Sequence, residues 1–577
     1  MSFLITATKE EIKIEYNERL IPSPVLINET KNYVNILLGE VFSEDDEKIL
    51  LGDWSKDDFF SIVGNISAIR IDKETKKVFF AVDYYALEKL YYYYNSNENF
   101  FMLSDNFWEI TANLNIRFND LNIEFIKEKI VMDPILGGTY INNLDIVKSA
   151  SYGEFDVGRN KLQLYKHNKS FFDNKKNITL GEAVEELYKA IDLTVKQAKD
   201  KIGDNAIIAA PISGGLDSRL IPYFLIKNNI DAIYFILGKK RPNHLLLSQD
   251  YKNARKIAKY YGVKLNEIPY DNKHVIDRWY KDIISSPFFE AQFNKSSIFP
   301  FQFDTLITGA SGGAVDADDI CDNIIYDIKK CKKQILRFIY KPMFKDKVKR
   351  AISYLFNLNI SSSYTKIPDW YRKVFSEETE NKIEKKLKEL ILEEKKITSS
   401  DFAIYRNIDM YIASFNRYGA FESIMGEKRS FSIYYPYAWL CSRNWGEIQL
   451  NERNTLKDLI EKIDTELITI SEQSYKTISN NKIKKILKLG EFILRGNGTA
   501  DKSLYRCRTT QKEMKKIYNS DCRWFWHIFP DLNRKDITKI RKNYFMVTKV
   551  KSIIDAFESK QYIEWGEKKY NWTIVIK

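Results

Sequence analysis

The feature that most constrains this chain is a strand–loop–helix junction. The apolar run Ala206-Ile207-Ile208-Ala209-Ala210 leads into Pro211-Ile212-Ser213-Gly214-Gly215-Leu216-Asp217-Ser218, and Arg219-Leu220-Ile221-Pro222-Tyr223-Phe224-Leu225-Ile226 follows with helical character. A buried strand, a loop of small residues and a helix, in that order, build a phosphate cradle. Gly214 and Gly215 let backbone N–H groups approach an anion with no Cβ in the way. The new helix adds unsatisfied N–H groups and the positive end of its dipole. Ser213 and Ser218 add hydroxyl donors, and Asp217 is placed to hold a Mg2+ ion that a nucleotide brings. The loop is not of the Walker A type. No G-x-x-x-x-G-K-S/T occurs, so the lysine that reaches the terminal phosphates there is missing.

The remaining composition narrows the setting of this loop. A chain of 577 residues predicts several domains, because single cores seldom grow past about 250–300 residues. Cys321, Cys331, Cys441, Cys507 and Cys522 form no C-x-x-C pair, which argues against zinc and against a disulfide framework and fits a reducing cytoplasm. No signal segment and no long apolar run is visible, so secretion and membrane insertion are not expected. The net charge of +12 sits largely in mixed runs such as Lys382-Ile383-Glu384-Lys385-Lys386-Leu387-Lys388. At helical spacing these read as solvated faces with i,i+4 pairs, not as a nucleic-acid interface. A basic balance also suits an anionic substrate such as ATP, or an acidic sugar or peptide. His167, His244, His274 and His527 show no ligand spacing, and Trp524-Phe525-Trp526-His527-Ile528-Phe529 reads as packing rather than as a base-stacking platform.

Along the chain, residues 1 to about 170 are strand-rich, with runs such as Tyr33–Leu38 and Lys77–Val82 between turn clusters. A polar linker, Asp173–Asn177, precedes Thr179-Leu180-Gly181-Glu182, which has the form of a capping box and opens a helix. From 206 to about 320 strands and helices alternate, which predicts a parallel sheet. Its further members are expected at Ile233–Gly238, Val263–Ile268 and Thr305–Gly309, with a helix over Asp250–Tyr261 ended by Gly262 at C′. From about 325 onward the pattern is mostly helical.

The segment SGGLDS resembles the pyrophosphate loop of the ATP pyrophosphatases, and with Arg219 behind it is most similar to the asparagine synthetase family. The resemblance extends over residues 1 to about 480. Phe60–Asn65, Ile71-Asp72, Asp83 and Leu90–Tyr93 follow the order of that family's glutaminase domain. The resemblance implies an α/β and α+β multidomain chain. Residues 1–172 would form an Ntn-like β-rich sandwich. Residues 178–325 would form an adenine-nucleotide alpha-hydrolase-like parallel-sheet core, and 326–577 its mainly helical continuation and extension. It implies ATP and Mg2+ as cofactors. Ser213, Gly214, Gly215, Leu216, Asp217, Ser218, Thr308 and Gly309 would lie at the pyrophosphate, Ile236, Leu237 and Gly238 would seat adenine through their backbone, and Lys476 would stabilise charge on the acyl-adenylate.

Three departures qualify this picture. Position 2 is Ser2, where the glutaminase has its nucleophilic cysteine, so a structural, inactive glutaminase fold is expected. The family's acidic fourth-strand motif is replaced by Gly309-Ala310-Ser311-Gly312-Gly313-Ala314. This leaves Gly313 where an aspartate would hold metal, with Asp316, Asp318 or Asp319 as a substitute or as plain loop acids. The helical signature is matched by Ser432-Ile433-Tyr434-Tyr435-Pro436-Tyr437-Ala438-Trp439, which keeps the proline and loses the aspartate, with Arg429 standing in for the arginine. The reading is an AMP-forming, carbon–nitrogen ligase acting on a small-molecule, sugar or peptide carboxylate. Its amine would be free ammonia, ammonia from a partner or the substrate's own amine, as in the β-lactam synthetases and lasso-peptide macrocyclases. The alternative is a nucleotide-binding or scaffold protein that kept the fold and lost the chemistry. Family members often form homodimers.

Overall fold

The structure, a computed structural model, describes residues 3–17, 25–131 (without 85 and 87), 138–167, 178–238 (without 204), 249–269, 275–288 (without 286), 299–309, 385, 389, 392, 393, 395, 396, 429–445 (without 436, 443 and 444), 455–470, 508–530 and 544–577 (without 568). The first strands are β1 (Phe3–Ala7), β2 (Ile12–Tyr16), β3 (Val25–Glu29), β4 (Tyr33–Val41), β5 (Gly64–Asp72), β6 (Lys77–Val82), β7 (Tyr91–Asn95), β8 (Phe100–Ser104), β9 (Leu144–Ile146), β10 (Ser151–Asp156) and β11 (Lys161–Lys166). They are followed by β12 (Ile208–Pro211), β13 (Ile233–Gly238), β14 (Leu265–Pro269), β15 (Thr305–Thr308), β16 (Arg429–Ser432) and β17 (Trp572–Ile576). Two six-stranded antiparallel sheets, in the orders β17-β2-β1-β8-β7-β9 and β11-β10-β6-β5-β4-β3, lie beside a five-stranded parallel sheet in the order β14-β13-β12-β15-β16. This is the α/β and α+β multidomain class that the sequence implies.

The antiparallel sheets pack face to face. Phe3, Ile5, Ile12, Ile14, Phe101 and Leu103 from one meet Val34, Ile36, Leu38, Ile69, Phe80 and Phe155 from the other. Phe101 stacks on Phe155 across the interface, ring centroids 4.4 Å apart. A buried side chain of this kind is worth ~1.5–3 kcal/mol relative to exposure. The continuous apolar run of β4 has a simple cause, because both of its faces are covered. Val34, Ile36 and Leu38 point into the sandwich, while Leu37 and Val41 point outward onto Leu50, Trp54 and Phe59. Those outer residues come from α1 (Glu44–Leu50) and α2 (Lys56–Ser61) and the link between them. Hairpins are closed by local side-chain bonds. Asp72 Oδ1 accepts from the amides of Glu74 and Thr75 at 2.9 and 2.8 Å.

The other sheet's outer face, with Leu4 and Met102, carries a thick helical layer. α3 (Phe107–Ala112) and α4 (Ile123–Val131) come from nearby sequence, α8 (Val275–Ser285) from the middle of the chain. α12 (Arg508–Asn519), α13 (Arg523–Ile528), α14 (Tyr544–Ser559) and α15 (Gln561–Gly566) come from its end. Phe525 and Ile528 of α13 are buried here, which agrees with the packing role expected of the Trp524–Phe529 stretch. α8 and α14 are joined by an ion pair, Lys549 Nζ to Asp282 at 3.0 Å, with side-chain exposures of 1% and 0%. Beside it Trp279 Nε1 donates to Ser552 Oγ at 3.1 Å. The chain's last segment then clasps the sandwich. β17 pairs with β2 from Trp572↔Tyr16 to Ile576↔Ile12, and Asn17 bonds the Lys569 carbonyl and the Asn571 amide. At Gly566 the backbones of α15 and α3 nearly touch, since a Cβ there would lie 1.8 Å from the Trp108 carbonyl oxygen.

The parallel sheet is fronted by α5 (Leu180–Ile202), α6 (Leu216–Lys227) and α7 (Gln249–Tyr260). It is also fronted by α9 (Tyr437–Ser442), α10 (Thr455–Ile463) and α11 (Thr465–Thr469). The expected capping box opens α5. Thr179 Oγ1 accepts from the Glu182 amide at 3.3 Å, and Glu182 accepts from the Thr179 amide at 2.8 Å. Ala183, Leu187, Ala190, Ile191, Val195 and Ala198 form its buried stripe at helical spacing. α7 is followed by Gly262 at φ +67°, as expected of C′. The sheet's other face is aromatic, with Phe235 and Phe303 buried and Phe299 and Phe301 packed on them. The C-terminal part is largely helical among the described residues, but two strands within it, β16 and β17, depart from the helical expectation. Each completes a sheet begun hundreds of residues earlier, a pairing that local periodicity does not report.

Candidate phosphate-binding site

β12 has β13 on one side and β15 on the other. The chain runs outward through β13 and β14, then returns to place β15 and β16 on the far flank. The carboxyl end of β12 is therefore the topological switch point, where two connections diverge and leave a crevice. Ser213 to Ser218 occupies that position. The Ile212 amide still bonds the Phe235 carbonyl at 2.8 Å, after which the chain turns into α6.

The helix has no side-chain N-cap. Gly215 holds that position at φ −75° and ψ 160°. Among the described residues the amides of Gly214 and Leu216 make no hydrogen bond. A helix start left uncapped at a crevice is a site for negative charge. The two hydroxyls also bond within the loop. Ser213 Oγ and Ser218 Oγ lie 2.8 Å apart, Ser218 Oγ accepts from the Ser213 amide at 3.0 Å, and Ser213 Oγ accepts from the Gly215 amide at 3.2 Å. They brace the loop itself.

Three contacts fix the loop from outside. Arg219 is fully buried, and its guanidinium donates to the Gly214 carbonyl at 3.2 Å and to the Leu467 carbonyl of α11 at 2.9 Å. Tyr261, just beyond α7, donates to the Arg219 carbonyl at 3.1 Å, and burial pushes its phenol up, so it stays a donor. Tyr434, just beyond β16, donates to the Asp217 carbonyl at 2.9 Å. Gly309, directly after β15, lies against the same turn, and a Cβ there would stand 2.6 Å from the Asp217 carbonyl oxygen. Asp217 sits in the first turn of α6, where a carboxylate is favoured by the helix dipole.

The sequence-predicted residues gather around this point as far as they are described. Pro211 is in register with Phe235, so Ile236, Leu237 and Gly238 extend β13 to the level of the loop. Thr308 ends β15; it is buried and its hydroxyl is 3.5 Å from the Phe431 carbonyl, toward β16. Ser2, Ala310, Gly313, Asp316, Asp318, Asp319, Pro436 and Lys476 lie outside the described residues. Tyr434 and Tyr261 were not legible as loop contacts. Tyr434 stands in the signature segment, but its bond spans 217 positions of sequence.

Among the described residues one group of metal-type donors assembles elsewhere, Cys522, Asp555 and Glu558 in the helical layer on the sandwich. Burial pushes the Cys522 thiol up to about 12, and Glu558 accepts from Arg523 Nε at 3.0 Å and the Trp524 amide at 3.1 Å. A protonated thiol and a committed carboxylate describe packing. Cys441 and Cys522 are free thiols. No helix among the described residues is long and apolar enough to cross a membrane.

No family model matches this chain, and no curated protein does. Among solved structures 23 chains match. One is the U34-tRNA thiolase NcsA from Methanococcus maripaludis with its 4Fe-4S cluster, 13% identical over 55% of this chain and 90% of that one, with a TM-score of 0.17. So slight a superposition carries no argument.

Proposed function

We propose that this protein is an ATP-dependent, AMP-forming carbon–nitrogen ligase of asparagine synthase-like type. The observation that supports it is the uncapped start of α6 at the switch point of a parallel sheet, where the Gly214 and Leu216 amides have no hydrogen-bond partner among the described residues. Those amides would hold the pyrophosphate of ATP. Ser213, Gly215 and Ser218 would keep them in place, and Thr308 and Gly309 would form the opposite wall. Ile236, Leu237 and Gly238 would seat adenine through their backbone. Asp217 would hold Mg2+, with Asp316 or Asp318 as a second ligand; the ion would neutralise charge on the departing pyrophosphate.

In the reaction a substrate carboxylate oxygen attacks the α-phosphorus, and the bond to the bridging oxygen of pyrophosphate breaks. Lys476 would face the phosphate oxygens as charge builds on them. An amine nitrogen then attacks the acyl carbon, AMP leaves with the bonding pair, and the amine loses a proton. With Ser2 in place of a cysteine, the amine is ammonia or an amine of the substrate rather than the product of the chain's own glutaminase. We assign the nucleotide chemistry to 178–325 and its continuation in 326–577, and a supporting role to 1–172.

The test is release of AMP and pyrophosphate from ATP with panels of carboxylates and amines. Asp217→Ala is expected to lower AMP formation by at least a hundredfold, the scale on which loss of one electrostatic element acts. Undiminished AMP formation in that variant removes the assignment. The scaffold reading draws on Gly313, where the family places an acid, and predicts nucleotide binding without AMP release.

A further inference from the structure

Two consecutive tyrosines after β16 reach into different parts of the molecule. Tyr434 is fully buried and donates to the Asp217 carbonyl at 2.9 Å. The hydroxyl of Tyr435 lies 2.8 Å from the Gly64 carbonyl and 2.8 Å from Asp83 Oδ2, both in the N-terminal sandwich. One phenol proton serves one acceptor at a time, and the carboxylate makes the stronger bond.

Both ends of this connection are fixed. Asp83 is 6% exposed; its Oδ2 also accepts from the Ile66 amide at 3.1 Å and its Oδ1 from the Ala86 amide at 2.6 Å. Its own backbone bonds the Ile66 carbonyl and the Ala150 amide. Asp83 therefore has little freedom to follow a moving partner. At the other end, Ile433 donates to the Thr308 carbonyl at 2.9 Å, and the Tyr434 amide donates to Ser432 Oγ at 3.2 Å. The Tyr434-Tyr435 backbone is thus tied to the carboxyl ends of β15 and β16, beside the loop. From Asp83 through Tyr435, the shared backbone and Tyr434, a continuous series of bonds ends on the residue next to the α6 start.

We propose that Tyr435 is a positioning residue through which the N-terminal sandwich sets the Asp217 turn of the phosphate loop. The sandwich acts on the nucleotide site without contributing a group to it. Tyr434 is the contact at the loop, Tyr435 the anchor and Asp83 the fixed point. As a statement about nucleotide affinity this rests on the ligase reading; as a statement about the loop it does not.

The test uses the full-length protein and two readouts. Hydrogen exchange of peptides covering 208–220 is measured without nucleotide, and Mg·ATP binding is measured by calorimetry, for wild type, Tyr435→Phe, Asp83→Asn and the double variant. Tyr435→Phe is expected to speed exchange in the loop while leaving that of β4 to β6 unchanged, and to weaken Mg·ATP binding by roughly fivefold or more, the scale of coupling between distinct sites. The double variant is expected to match Tyr435→Phe, because one connection cannot be cut twice. Loop exchange unchanged in Tyr435→Phe overturns the proposal, as does full additivity in the double variant. If Asp83→Asn fails to fold, Tyr435→Phe, which loses a single hydroxyl, decides alone. If the wild type does not bind Mg·ATP yet Tyr435→Phe still loosens the loop, the ligase reading fails and the positioning role stands.

Discussion

The N-terminal sandwich and the carboxyl edge of the parallel sheet handle backbone polar groups in opposite ways. In the sandwich, strands pair, both sheets are covered by helices, and the last strand of the chain closes one edge by pairing with β2. At the parallel edge, the amides of Gly214 and Leu216 have no hydrogen-bond partner among the described residues, while the loop carrying them is braced by Arg219, Tyr261, Tyr434 and two serines. The difference separates a region whose polar groups are paired within the fold from one that presents backbone amides at a crevice.

The largest expected effect breaks the paired region. Lys549→Ala removes one half of the fully buried Lys549–Asp282 pair and should cost about 3–5 kcal/mol in urea unfolding. Mg·ATP affinity per folded molecule should stay near wild type, and a parallel loss of affinity would show that the two regions are not separable in this way. Gly309→Ala tests the converse. Its Cβ would press on the Asp217 carbonyl, so the stability cost should be the ~1–3 kcal/mol of local overpacking, with nucleotide binding lowered at least tenfold. Normal binding by this variant would mean that the wall beside Asp217 is not part of the site.

The smallest effect concerns pH. Burial pushes the Asp192 carboxyl up, but hydrogen bonds from Lys227, Lys196 and Asn228 outweigh it and hold it down at about 2, against an ordinary 3.8. Because the folded value is the lower, this network stabilises the fold fully above pH ~4 and loses its contribution as pH falls toward 2. Asp192→Asn should therefore be less stable than wild type at pH 7, and the gap should narrow as pH falls through about 2 and close only below it. A gap independent of pH would place the effect in packing instead.

The sequence carried much of this architecture where the determinants are local. The Thr179–Glu182 capping box, the strand–loop–helix at 208–227 and the alternation through β15 depend on neighbours a few residues apart. Boundaries moved slightly: α7 starts at Gln249, and the strand expected at Val263 begins at Leu265. What could not be read was pairing over distance. β16 is the short, polar Arg429-Ser430-Phe431-Ser432, with no strand pattern of its own, and is a strand because β15 offers it an edge. The same holds for the site. SGGLDS announces the loop, but that its serines brace it and that Tyr434 grips Asp217 depends on which surfaces meet after folding.

The central claim is that the uncapped start of α6 is a working nucleotide site. The most direct test is calorimetric titration of the full-length protein with Mg·ATP, for wild type and Asp217→Ala. Saturable binding by the wild type that disappears in the variant is the expected result. No binding by the wild type at millimolar ATP, or equal binding by both proteins, would contradict it.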